Sequence, residues 1–141
     1  MRLFKILTLL LGLSLYIQSC NKKPNVVYSI PRLDSVRTTF KIPINKLVND
    51  FKNWDGQIIE TTGVLHCGFE QFVISADSDL LPVYATAFWL DPRMDLNADY
   101  NYLQKMNGKL IRVKGIMDIS SRGHLSQYLA TIKGLYFLEV E

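Results

Sequence analysis

Apolar and polar positions alternate through most of this chain, and the alternation changes period in only two places. At Ile44, Leu47, Val48 and Phe51 the apolar residues fall at i, i+3, i+4 and i+7, which is one face of a helix. Pro43 is suited to its first position, and Gly56 ends it. From there the period drops to two. Ile59, Thr61, Gly63, Leu65 and Cys67 alternate with Ile58, Glu60, Thr62, Val64 and His66, predicting a strand with one buried face. Residues 69–76 and 83–90 predict a second and a third strand, separated by a Pro- and Asp-containing break. The helical period returns at Tyr100, Leu103 and Met106, with Asn97 as the expected N-cap and Gly108 as the stop. A fourth strand follows from Gly108, with Ile111, Val113, Met117 and Ile119 inward, and a fifth from Tyr128.

Within this pattern one phrase occurs twice, 52 positions apart: GQIIETTGVL from Gly56 and GKLIRVKGIM from Gly108. A helix precedes five strands, and a second helix separates the third strand from the fourth. That order resembles the OB-fold, a five-stranded Greek-key barrel. The resemblance covers Gly56 to Glu141 and implies a mainly β domain with the N-terminal helix packed on the barrel. It also implies that strands one and four are neighbours. Gly63 and Gly115 then stand at matching places in two strongly curved strands, where glycine relieves the bend. The two phrases, with the later Gly123-His124 pair, are similar to a loose set of bacterial envelope proteins. That likeness implies no reaction, because a fold does not specify one.

The N-terminus reads differently. Arg2 and Lys5 precede an uncharged apolar run from Ile6 to Ile17. A spanning helix needs about 20 such residues, so residues 1–19 read as a secretory signal peptide. Ile17-Gln18-Ser19-Cys20 resembles the lipobox of bacterial lipoproteins, although Gln18 departs from its small or aliphatic residue. The resemblance implies acylation of Cys20, a membrane partner held through that lipid, and a place in the cell envelope. Asn21 rather than aspartate follows, which favours the outer membrane, facing the periplasm. Residues 20–42, with Pro24 and Pro31, read as the lipidated cysteine and a flexible tether. Asn25 to Ile30 is able to form an edge strand, and residues 43–141 are the barrel domain. Fully extended, that tether reaches roughly 70 Å.

Net charge is +3 over the whole chain. Without the signal, 14 basic residues face 13 acidic ones; from Phe40 onward 10 face 12. The basic surplus lies at Lys22, Lys23, Arg32 and Arg37, where it suits anionic headgroups or a solvated linker equally. With Cys20 acylated, Cys67 has no partner within the chain and reads as a buried small hydrophobe.

Ligands of OB barrels bind across strands two and three, between the one–two and four–five loops. Those loops carry Glu70, Arg122, His124 and Tyr128. They are expected to be ligand-binding: three polar contacts and one apolar platform with a hydrogen-bonding tip. The leading expectation is a binding or scaffolding module for an envelope protein, glycan or small ligand, without catalysis and without cofactor. A second reading is a nucleic-acid-binding protein, using Phe69, Phe72, Phe88 and Trp89 as stacking platforms. A third is an envelope enzyme using His124 and Glu70. His66, Cys67, Glu70 and His124 contain metal-ligating types, but adjacent strand residues face opposite ways, and no structural zinc spacing is present. No metal is expected.

Overall fold

The computed structural model describes residues 25–77 and 84–141. The signal peptide and Cys20 therefore lie outside the described residues. Among the described residues the protein is mainly β, with seven strands in one mixed sheet and three short α-helices. Among the described residues no helix is long and apolar enough to cross a membrane.

The strands are β1 (Val26–Ser29), β2 (Phe40–Lys41), β3 (Ile58–Gly68), β4 (Gln71–Ser75), β5 (Ala87–Pro92), β6 (Leu110–Asp118) and β7 (Thr131–Val140). The helices are α1 (Pro31–Asp34), α2 (Ile44–Asp50) and α3 (Tyr100–Lys105). β3 pairs with β4 and β6, β4 with β5, β5 in parallel with β7, and β7 with β6. Those five ladders run in a cycle that returns to β3. The five strands expected from the alternation are all present, together with β1 on the edge of β7 and β2 in parallel with β3. So the part of 20–42 that the structure describes is not free chain. Val26 faces Val140, Phe40 faces Ile59, and Ile42 is buried in the core.

The core follows the predicted parity. Ile59, Leu65 and Cys67 of β3, Phe72 and Ile74 of β4, and Phe88 and Leu90 of β5 all point inward. They meet Ile111, Val113 and Met117 of β6 and Ile132, Leu135 and Leu138 of β7. Leu47 of α2 is fully buried, and Ile44, Val48 and Phe51 pack beside it. Leu103 of α3 closes another part of the same cluster.

The repeated phrase pairs with itself. β3 and β6 lie antiparallel, with Ile58 opposite Ile116 and Val64 opposite Leu110. The two ends are closed alike: Gly56 N–H donates to the Met117 carbonyl at 2.9 Å, and Gly108 N–H to that of Leu65 at 2.8 Å. Both glycines have left-handed backbones, φ +71° and +80°, which side-chain-bearing residues disfavour. Gly63 and Gly115 serve close approach. A Cβ on Gly63 would lie 2.6 Å from the Ser75 carbonyl, and one on Gly115 would lie 2.8 Å from Ile132 Cγ2. Gly115 also sits where the β6–β7 register shifts.

Three local expectations shift. The N-cap of α3 is Asp99, whose carboxylate accepts from Tyr102 N–H at 3.1 Å; Asn97 instead ends a 3₁₀ turn with φ 38°. The third strand begins at Ala87, because Tyr84–Thr86 turns first. The fifth begins at Thr131, leaving Tyr128 in the preceding loop.

Candidate functional site

β3 and β4 are joined by Phe69 and Glu70 alone, with Gly68 opposite Gln71 closing the hairpin. So tight a turn forces Glu70 into the left-handed region, φ 53°. Phe69 is left 92% exposed. The β6–β7 connection is longer and folds back on the sheet. Its turn at Gly123 has φ 65° and ψ −158°, and a Cβ there would meet Trp89 at 2.5 Å. Only glycine lets this backbone lie against the indole. Leu125 and Ser126 follow, both left-handed at φ 53° and 54°, and Leu125 is 72% exposed.

These two connections meet. His124 Nε2 lies 3.5 Å from Glu70 Oε2, with both side chains about half exposed. That spacing is at the limit of a hydrogen bond and within range of an ion pair when the imidazole is protonated. Phe69 and Leu125 are the immediate sequence neighbours of this contact. The result is a rim carrying two apolar knobs beside one carboxylate and one imidazole.

The other two predicted residues are used differently. Tyr128 is buried, its ring centroid 5.5 Å from Trp89 and 5.4 Å from Tyr84. With Val73 and Ala87 it forms a small second cluster. By strand parity this is the outer face of β4 and β5, the surface expected to stay open for ligand. Burial raises the Tyr128 phenol above its ordinary pKa, opposed by a hydrogen bond from Gln71. Arg122 Nε donates to the Tyr128 carbonyl at 2.8 Å, and Tyr128 N–H donates back to the Arg122 carbonyl at 3.2 Å. Arg122 thus fixes the loop. It lines a cavity with Phe51, Lys52, Ile119 and Leu129, apart from the rim.

Three of the four expected aromatic platforms are withdrawn, and only Trp89 by this covering. Phe72 and Phe88 fill the core, and Trp89 lies beneath Gly123 and Tyr128. Phe69 alone of the four is open to solvent.

His66 and Cys67 do point opposite ways. Cys67 is in the core, where burial raises its thiol pKa. His66 is buried on the other face, its Nε2 2.8 Å from Ser75 Oγ, which donates to the Asp77 carbonyl at 2.7 Å. Among the described residues no three His, Cys, Asp or Glu side chains converge as a metal site.

Two features escape a reading of periodicity. Leu125 sits in a turn, where alternation carries no information, and Phe69, expected to begin the second strand, sits in the preceding turn because that strand starts at Gln71. The second is an ionic cluster on the outer face of β3, β6 and β7. Arg112 bonds Glu139 at 2.7 Å and Glu60 at 3.3 Å, and Lys114 reaches Asp34 of α1 at 2.6 Å. Arg112 and Lys114 both stand over the Phe137 ring.

No protein-family model matches the chain, and no curated protein matches it. Among solved structures it is similar to a chain described as an aspartyl-tRNA synthetase from Leishmania major Friedlin, at 10% identity and a TM-score of 0.46. The match covers 88% of this chain and 22% of that one. Likeness at this level assigns neither a family nor an activity.

Proposed function

We propose that this protein is a non-catalytic binding module of OB-like build, held at a bacterial envelope membrane by lipid on Cys20. It engages a partner protein through the rim of Phe69, Glu70, His124 and Leu125. The five-ladder cycle from β3 to β7, with α3 between its third and fourth strands, supports the OB-like reading. The lipid anchor and the outer-membrane location rest on the sequence around Cys20.

One observation carries the binding rim: exposed apolar side chains and left-handed backbone coincide there. A left-handed L-residue costs roughly 1–2 kcal/mol, and an exposed leucine recovers none of it by burial. Such local strain clusters at functional sites, ligand clamps and active sites alike. Two knobs flanking a polar pair fit pockets on a protein surface, where buried apolar anchors contribute most of the affinity. General acid–base catalysis, by contrast, works best with water excluded, and the Glu70–His124 pair stands open.

The test is capture from detergent-solubilised membranes with the acylated protein, comparing wild type with Phe69→Ala, Leu125→Gly, Glu70→Ala and His124→Ala. Specific partners lost in all four variants support the rim. Retention of every wild-type partner by all four would remove it.

A further inference from the structure

The chain outside the described residues is very short on the side of the anchor. Only residues 21–24 separate Cys20 from Asn25. Five Cα steps span at most about 18 Å however they are arranged. Beyond that point the chain is fixed. Asn25 Nδ2 donates to Glu139 Oε1 at 3.3 Å, and Val26 to Ser29 pair with Val140 to Phe137. A domain of this size has a radius of gyration of about 13 Å, equivalent to a sphere of about 17 Å radius. The link is therefore only about as long as the radius of the body it holds.

We propose that the surface around the start of β1 and the end of β7 is apposed to the lipid headgroups, and that the protein has no spacer from its membrane. This rests on the reading of Cys20 as acylated. The apposed surface carries Val27 and Leu110, both half exposed although apolar. They share the outer face of the β1–β7–β6 strip: Val27 faces Glu139, Glu139 faces Arg112, and Leu110 lies two residues before Arg112. The opposite end of β7 is at Thr131, about 30 Å of strand away. There Thr131 faces Asp118, with the exposed Ser120 just beyond. Position 27 is thus proximal to the bilayer and position 120 distal. A link of this length leaves no room to exchange them.

Resonance energy transfer to a headgroup-labelled vesicle tests the arrangement. The full acylated chain, in a Cys67→Ala background, carries a donor at Val27→Cys or Ser120→Cys. Transfer from position 27 is expected to exceed that from position 120 several-fold. A Gly-Ser spacer of about 20 residues between Lys23 and Pro24, with an r.m.s. reach of about 25 Å, is expected to abolish most of the difference. Equal transfer from both positions without the spacer would overturn the apposition while leaving the anchor intact. A protein without acyl mass on Cys20, and no longer bound to vesicles, would remove both.

Discussion

Thr61 and Val113 stand opposite each other in the β3–β6 ladder, and each is the other's counterpart in the repeated phrase. The register places a local two-fold between the copies, so that equivalent residues meet at the centre and equivalent clasps close the ends. This answers why one short phrase occurs twice. An antiparallel pair whose ends are fastened identically accepts the same sequence in both directions, with no need of duplication to explain it.

At that centre the copies differ in one way that predicts a stability change. Thr61 is buried, and its Oγ1 has no hydrogen-bond partner among the described residues. An unsatisfied buried hydroxyl costs about 1–3 kcal/mol, and Val113 shows which residue the other copy uses. Thr61→Val is expected to stabilise by about 1 kcal/mol in urea denaturation. A loss instead would mean that the hydroxyl has a partner.

The two kinds of glycine separate by substitution. Gly63→Ala forces a methyl against the backbone carbonyl of Ser75, which cannot rotate away, and is expected to cost about 2–3 kcal/mol as overpacking. Gly108→Ala meets open space and carries only the left-handed penalty, about 1–2 kcal/mol. Denaturation midpoints of the two variants check the order. Equal losses would put β4 farther from β3 than these contacts require.

Removal of the covering ring and of the rim knobs should act on different properties. Tyr128→Ala empties the cluster over Trp89 and is expected to destabilise by about 3 kcal/mol. Leu125→Gly removes an exposed side chain and relieves a left-handed φ. Its stability should be unchanged or raised by up to about 1 kcal/mol, while partner capture falls. Thermal melts and capture measured on the same preparations separate the two. A strongly destabilised Leu125→Gly would assign that leucine to packing.

Asp118 sets one acid-side dependence. Its carboxylate accepts from Lys133 Nζ at 2.7 Å and from Ser120, which hold it at about 2 instead of 3.8. A depressed folded-state value contributes stability that is present above the ordinary pKa and lost as pH falls through about 2. Asp118→Asn is therefore expected to lower stability near neutrality, by within about 1 kcal/mol for so exposed a pair. The difference from wild type should close between pH 4 and pH 2. A constant difference across that range would show that the carboxylate charge is not involved.

The elements long enough to show a period were legible: β3, β4, β6, β7 and α2 lie close to where alternation and the helical face predict them. Those it missed have physical reasons. β2 has two residues, too few for a period, and exists because β3 offers an unpaired edge, whereas β1 falls within residues 25–30, which the sequence offers as an edge strand. Asp99 displaced Asn97 as the cap because the preceding 3₁₀ turn ends with Asn97 already left-handed. In the candidate site, the two loops named from the strand order bring Glu70 to 3.5 Å from His124. Tyr128 is buried instead against Trp89 on the outer face of β4 and β5, a contact set by the folded sheet and invisible in the spacing of the loop.

The mirrored clasps at Gly56 and Gly108 bear on how this chain tolerates insertion and deletion. A residue added anywhere from Gln57 to Val64 would displace one clasp relative to the other and turn the inward side chains of the strand toward solvent. Length variation in relatives is therefore expected to avoid both copies and to accumulate where the chain leaves the ladders, as between Ser120 and Leu129.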